Sequence, residues 1–180
     1  MGRFTWSTEN EVFLAPIDAE HRGLFRFADE LQVAIAKSAP PDAICEHVHR
    51  LEEYMAEHFS HEEELMREVG YLSYGWHRAQ HDTARRRLKL LVPLIETGDI
   101  QAAELCLEFL AGWLHDHTTL TDKMMTAFVR NYERTRAARS VDRREKALAV
   151  PASSASSITP AASQASPPPP TGRDLRNRRN

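Results

Sequence analysis

Apolar side chains recur along the first 135 residues or so at alternating steps of three and four, the period of amphipathic helices. Four such stripes stand out. The first runs Ile17, His21, Leu24, Ala28, Leu31, Ile35, and the second Val48, Leu51, Met55, His58, Glu62, Leu65, Val69. The third is His77, His81, Ala84, Leu88, Leu91, Ile95. The fourth is Ala103, Leu107, Leu110, Leu114, His117, continuing toward Met124 and Phe128. No segment alternates as a half-buried strand would. Pro40-Pro41, then Gly70 with Gly75, then Gly98-Asp99 interrupt the stripes where helices would end. Asp18 is placed to cap the first helix, because its carboxylate can accept the free amides of a first turn. Pro93 should kink the third helix or end it early. Short connections between four amphipathic helices predict an all-α, up-down-up-down four-helix bundle. Phe4 and Trp6 precede it on an extended N-terminal arm packed against the bundle.

The stripes contain a contradiction. His21, His58, Glu62, His77, His81 and His117 stand where apolar residues should be buried. A lone buried histidine is usually a hydrogen-bonded core residue. Six ionisable groups on one seam are different, since each unpaired buried charge costs several kcal/mol. A domain holds only about 5–15 kcal/mol of net stability. Something must satisfy these groups together, and a metal site does so.

The loops place the groups at one height. In an up-down bundle, residues equidistant from a connecting loop lie level with each other. His21 and the His58–Glu62 pair have their midpoint at Pro40-Pro41. That pair and His77–His81 meet at Gly70, and His77–His81 and the fourth-helix group meet at Asp99. The shared level lies about 15 Å from the second loop and about 30 Å from the others, at roughly 1.5 Å per residue. His77 and His81, like His58 and Glu62, stand four apart and so face one way. Asp122, five beyond His117, falls about 140° round an ideal helix, and periodicity alone does not nominate it.

Five imidazoles with carboxylates and no thiolate suit Fe, Zn, Cu or Ni and disfavour Ca or Mg. Five are too many for one ion that keeps an open position, whereas two carboxylate-bridged ions use them all. Cys45 and Cys106 offer neither a disulfide framework nor a thiolate metal knuckle and read as small buried residues. His47, His49, His61 and His115 lie off the seam and read as surface residues.

Net charge changes the picture only when it is divided. The chain carries −3 overall, but residues 1–133 hold −10 and 134–180 hold +7. An acidic body lacks the clustered cations that phosphate contacts need, so nucleic acid is not an expected partner. Residues 149–171 are 18 of 23 Ala, Ser or Pro, too poor in apolar bulk to build a core. The expected division is a bundle over 1–135, then over 136–180 a helical extension and a disordered tail with a basic tip. The tip reads as a solvated end, or alternatively as a tag for an acidic protein partner or anionic surface. No run approaches the ~18 apolar residues of a membrane span. The N-terminus shows no signal segment, so the expected location is cytoplasmic.

Several strings now form an ordered set: His58-Phe59-x-x-Glu62-Glu63-x-Leu65-Met66, then Gly70-Tyr71, then His77-x3-His81, then Trp113-Leu114-x2-His117-x4-Asp122. Upstream stand Phe4-x-Trp6 and Ile17-Asp18-x-x-His21-x-x-Leu24. Over roughly residues 4–130 this set resembles the hemerythrin family in its single-domain bacterial form, bacteriohemerythrin. The resemblance implies two non-haem iron ions with an oxo or hydroxo bridge, and O2 as ligand. By the same resemblance His77, His81 and His117 would hold one iron, His21 and His58 the other, and Glu62 and Asp122 would bridge them. Leu24, Phe25, Phe59, Trp113 and Leu114 are candidate walls of a dry O2 pocket as well as ordinary core residues. Two positions depart from the family pattern: Ala84, where an aromatic residue is common, and Thr118, where an aliphatic one is usual.

The expected function is reversible O2 binding for carriage, storage or delivery, without enzymatic turnover. Weak oxidase or peroxidase activity stays open. The alternatives are a sensor of O2, redox state or iron, and a di-iron oxidoreductase acting on peroxide or nitric oxide. An oxidoreductase would want a proton donor beside the open position, and the seam offers none outside the ligand set.

Overall fold

The computed structural model describes residues 3–148. The expected tail and basic tip lie outside the described residues. The chain divides into two units, Met1–Asp142 and Arg143–Asn180, and every candidate site residue belongs to the first.

The elements are α1 (Ala15–Ala36), α2 (Pro41–Val69), α3 (Tyr74–Glu96), α4 (Ile100–Asp116) and α5 (Asp122–Leu148). A single 3-10 turn, Thr8–Asn10, precedes them, and a π turn, His117–Thr121, joins α4 to α5. There is no strand among the described residues. Consecutive helices pack side by side and α4 closes back on α1, so the bundle is all-α and up-down-up-down as expected.

Local chemistry sets the ends. Pro41 opens α2, where a missing N–H costs nothing. Gly70 closes α2 in the left-handed region (φ 66°) and Tyr71 N–H returns to the Met66 carbonyl. The Asp99 carboxylate caps α4, accepting from the amides of Gln101 and Ala102 at 2.9 and 3.1 Å. Asp18 does not cap α1. The helix already opens at Ala15, three residues before Asp18, with Pro16 in its first turn, and the Asp18 carboxylate instead accepts the Val12 N–H at 2.8 Å. Nor does Pro93 end α3, which continues to Glu96. Pro93 stands on the solvent face, where water can serve the carbonyl it leaves without a partner.

Two apolar clusters fill the interior. The larger includes Leu24, Met55, Phe59, Leu88, Leu110 and Leu114. The smaller holds Met66, Val69, Tyr71, Met125 and Val129. Glu62 along α2, and His117 and Asp122 along α4–α5, fall between members of one cluster and members of the other. No helix of the described residues is long and apolar enough to cross a membrane.

The fourth stripe needs a correction. The regular period points Met124 and Phe128 inward, but Met124 is half exposed and Phe128 only partly buried. Met125 and Val129 take the interior instead. The π turn holds one residue more than an α turn, so everything after it is displaced by one position.

Candidate metal centre

The site grows from four helices. His21 comes from α1, His58 and Glu62 from α2, and His77 and His81 from α3. His117 and Asp122 stand at the two ends of the π turn. All seven side chains are buried.

Each imidazole turns its Nε2 into one volume. His77 Nε2 and His81 Nε2 both lie 3.2 Å from Glu62 Oε2. His117 Nε2 is 3.1 Å from His81 Nε2 and 3.1 Å from Asp122 Oδ1. Asp122 Oδ1 also lies 3.4 Å from His77 Nε2, while its Oδ2 is 3.1 Å from His21 Nε2. His58 Nε2 is 3.8 Å from Glu62 Oε2. Potential ligand atoms of Glu62, His77, His81 and His117 lie within 4.8 Å of one another, as do those of His21, His58, Glu62 and Asp122. The two sets share Glu62, and Asp122 reaches toward both.

Asp122 gets there through the backbone. Its N–H bonds the His117 carbonyl, five residues back rather than four. The hydroxyls of Thr118 and Thr119 donate to the carbonyls of Leu114 and His115 at 2.9 and 2.7 Å. Hydroxyls that claim such carbonyls loosen the regular ladder. The extra residue brings Asp122 round to the face of His117.

The outer atoms are held in part. His58 Nδ1 and His61 Nδ1 each lie 2.8 Å from a Glu20 oxygen. His81 Nδ1 lies 3.1 Å from Glu63 Oε1, which Arg85 also grips at 2.8 Å. These carboxylates fix ring orientation and tautomer. Burial pushes Glu20 and Glu63 up, but their histidine and arginine partners outweigh it and hold both below the ordinary carboxylate range. Sequence reasoning did not nominate either residue. A signal existed, because Glu20 and His61 have the same loop midpoint as His21 and its partners on α2.

Burial pushes the His21, His81 and His117 imidazoles down, keeping them neutral with lone pairs free. Among the described residues, His21 Nε2, His58 Nε2, Glu62 Oε1 and both Asp122 oxygens have no hydrogen-bond partner. Buried polar atoms left so cost free energy. Five imidazoles and two carboxylates that converge on one volume, several of their inward atoms unsatisfied, fit a pair of cations.

The candidate pocket walls divide. Phe59 stacks on His81 at 4.1 Å between ring centres, and Trp113 stacks on His117 at 4.2 Å. Phe25 instead meets Trp6 edge-on at 5.5 Å, and Trp6 lies 6.2 Å from His21. Leu24 and Leu114 are members of the larger apolar cluster, and Ala84 is fully buried there too. Cys106 is buried and its thiol is pushed up to about 12 by burial. Cys45 is only half-buried, its thiol donating to the Ile95 carbonyl at 3.4 Å.

A four-helix bundle with two adjoining imidazole–carboxylate sets around a shared acid is a cation-binding protein of the di-metal class. More particularly, the chain belongs to the hemerythrin family, for residues 12–129 match the hemerythrin HHE cation binding domain. A bacteriohemerythrin of Clostridium acetobutylicum is 27% identical over 124 residues, covering 67% of this chain and 96% of that protein. A bacteriohemerythrin of Stenotrophomonas maltophilia is 28% identical over 117 residues, covering 65% and 75%. A myohemerythrin of Theromyzon tessulatum is 28% identical over 119 residues, covering 66% and 88%. Members of the family bind two iron ions, and the buried cluster here suits such a centre.

Proposed function

We propose that this protein binds O2 reversibly at a non-haem di-iron centre and serves in its carriage, storage or delivery. The observation that carries the reading is the pair of buried ligand sets sharing Glu62, in which the inward atoms of His21, His58 and Asp122 and one oxygen of Glu62 have no hydrogen-bond partner. In this reading His77, His81 and His117 hold one ion and His21 and His58 the other. Glu62 and Asp122 span the two. Two ferrous ions, when bound, supply the electrons that make O2 uptake possible and reversible.

The chain's own residues shape the outcome. The second set has one imidazole fewer than the first, which leaves room for a small ligand there. Glu20 orients His58 from outside. Phe59 and Trp113 lie flat on His81 and His117 and keep water from that side. A cleft of about 170 Å³, lined by Glu20, Tyr54, Glu57, His58 and His61, offers a small molecule an approach beside His58.

The test loads purified protein with ferrous iron without air, admits O2, then removes it. A visible absorption band that forms with O2 and fades on degassing is the expected result, with two iron ions per chain. Immediate, irreversible oxidation would overturn carriage in favour of a sensor or an oxidase. Fewer than two ions per chain would overturn the di-iron reading itself.

A further inference from the structure

We propose that Asn10 is a positioning residue for the metal centre, acting through Thr118 to fix the π turn that carries Asp122 into the cluster. Asn10 sits on the N-terminal arm, yet it is only 4% exposed. Its carboxamide is hydrogen-bonded at both ends. Oδ1 accepts from the amide and hydroxyl of Ser7, both at 3.2 Å, and Nδ2 donates to Thr118 Oγ1 at 3.0 Å. That hydroxyl in turn donates to the Leu114 carbonyl at 2.9 Å. In a regular helix the Leu114 carbonyl would receive the Thr118 N–H. Asn10 therefore locks the rotamer with which Thr118 donates one turn back, at the point where α4 passes into the π turn.

The arm is fastened on both sides of this point. Lys123 Nζ donates to the Glu9 carbonyl at 2.6 Å, and Thr126 Oγ1 to the Val12 carbonyl at 2.9 Å. The Arg130 guanidinium donates to the same Val12 carbonyl and lies over the Phe13 ring. Phe13 itself adopts a left-handed backbone (φ 59°), a conformation costly for a bulky residue and kept only where surroundings over-determine it. The arm is thus a brace laid across the junction of α4 and α5, and the buried Asn10–Thr118 hydrogen bond ties it to the π turn.

The turn needs such a brace. Asp122 is a carboxylate held without water beside Glu62, an arrangement that burial and like charge both oppose. Rewound as a regular helix, the same sequence would swing Asp122 about 140° from His117.

This inference rests on reading the cluster as a two-cation site, and the experiment separates the two. Full-length Thr118→Val, Thr118→Ser, Asn10→Ala and the Asn10→Ala/Thr118→Val double variant are compared with the parent. Amide hydrogen exchange across residues 118–122 is followed on metal-free protein, and cobalt(II) is titrated alone as the probe ion. In Thr118→Val and in Asn10→Ala, exchange at 118–122 should quicken about tenfold while the rest of the bundle is unchanged. The weaker cobalt site should lose about 10- to 100-fold in affinity. Thr118→Ser, which keeps the hydroxyl, should restore both, and the double variant should be no worse than either single one. Exchange and affinity within about twofold of the parent would overturn the proposal and leave the burial of Met125 and Val129 as what holds the turn. So would losses spread evenly over the bundle, or effects that add in the double variant. A parent that takes up fewer than two cobalt ions would overturn the two-cation reading, while the exchange data still decide the role of Asn10.

Discussion

Glu62 and Asp122 are two carboxylates with opposite fates in one buried volume. Burial pushes Glu62 up, but the charge of His58 and hydrogen bonds from His77 and His81, with His117 close by at 3.9 Å, outweigh it and hold Glu62 well below the usual range. Asp122 is pushed up to about 7 by burial and then by the charge of Glu62, which the imidazoles beside it offset only in part. The signs for metal-free protein follow by linkage. Below about pH 6.5 an unfolded chain protonates the histidines, whereas the folded one keeps His21, His81 and His117 neutral, so stability falls as pH falls. Asp122 acts the other way between its ordinary 3.8 and about 7, where the folded state holds a proton the unfolded state has lost. Three histidines outnumber one aspartate. Metal-free protein should therefore melt at progressively lower temperature as pH drops below about 6.5, measurable by circular dichroism. At pH 8 Asp122→Asn removes a buried charge and should raise the metal-free melting temperature by about 3 °C or more, since ~1 kcal/mol moves a domain of this size about 2–4 °C. The same variant should take up fewer than two cations, which titration would show. Five imidazoles and Glu62 were legible in the sequence because side chains four apart share a helix face. Asp122 was reached only through the family resemblance, because its place depends on a backbone distortion that helical periodicity does not register.

At the scale of elements, the helices and their order follow from the stripes and from Pro, Gly and Asp at the breaks. What the stripes miss is the change of step after His117. Two threonines behind that histidine were the signal, since their hydroxyls compete for carbonyls one turn back. The start of α1 was missed for a related reason: Pro16 is itself a good opening residue and overrides Asp18 as a cap. Packing between α1 and α2 turns on Gly23, where an added Cβ would run into the ring and hydroxyl of Tyr54. Gly23→Ala should cost about 1–3 kcal/mol by overpacking. Chemical denaturation would measure the loss, and the Tyr54 fluorescence environment should shift with it.

On the scale of the whole molecule, the bundle is a scaffold that can absorb polar residues because they lie at one level between two apolar clusters. That level was legible from loop midpoints alone, and the same midpoints would have picked out Glu20. The helical extension contributes little to this scaffold, for every residue from 131 to 148 is exposed. A chain ended at Arg139 should melt within about 2 °C of the parent and bind the same number of cations, as calorimetry and titration would show. The π turn has one more consequence. It is an insertion healed on the spot: beyond it Asp122, Met125 and Val129 point where they would point if the chain were one residue shorter and the helix unbroken. Deleting Leu120, which is exposed, would place Asp122 four residues after His117 and let the ladder close. A lost codon in the middle of a helix ordinarily rotates all that follows by about 100°. Here alone the molecule should accept it, folding with Met125 and Val129 still inward, whereas the same deletion at Leu105 in α4 should leave no folded protein.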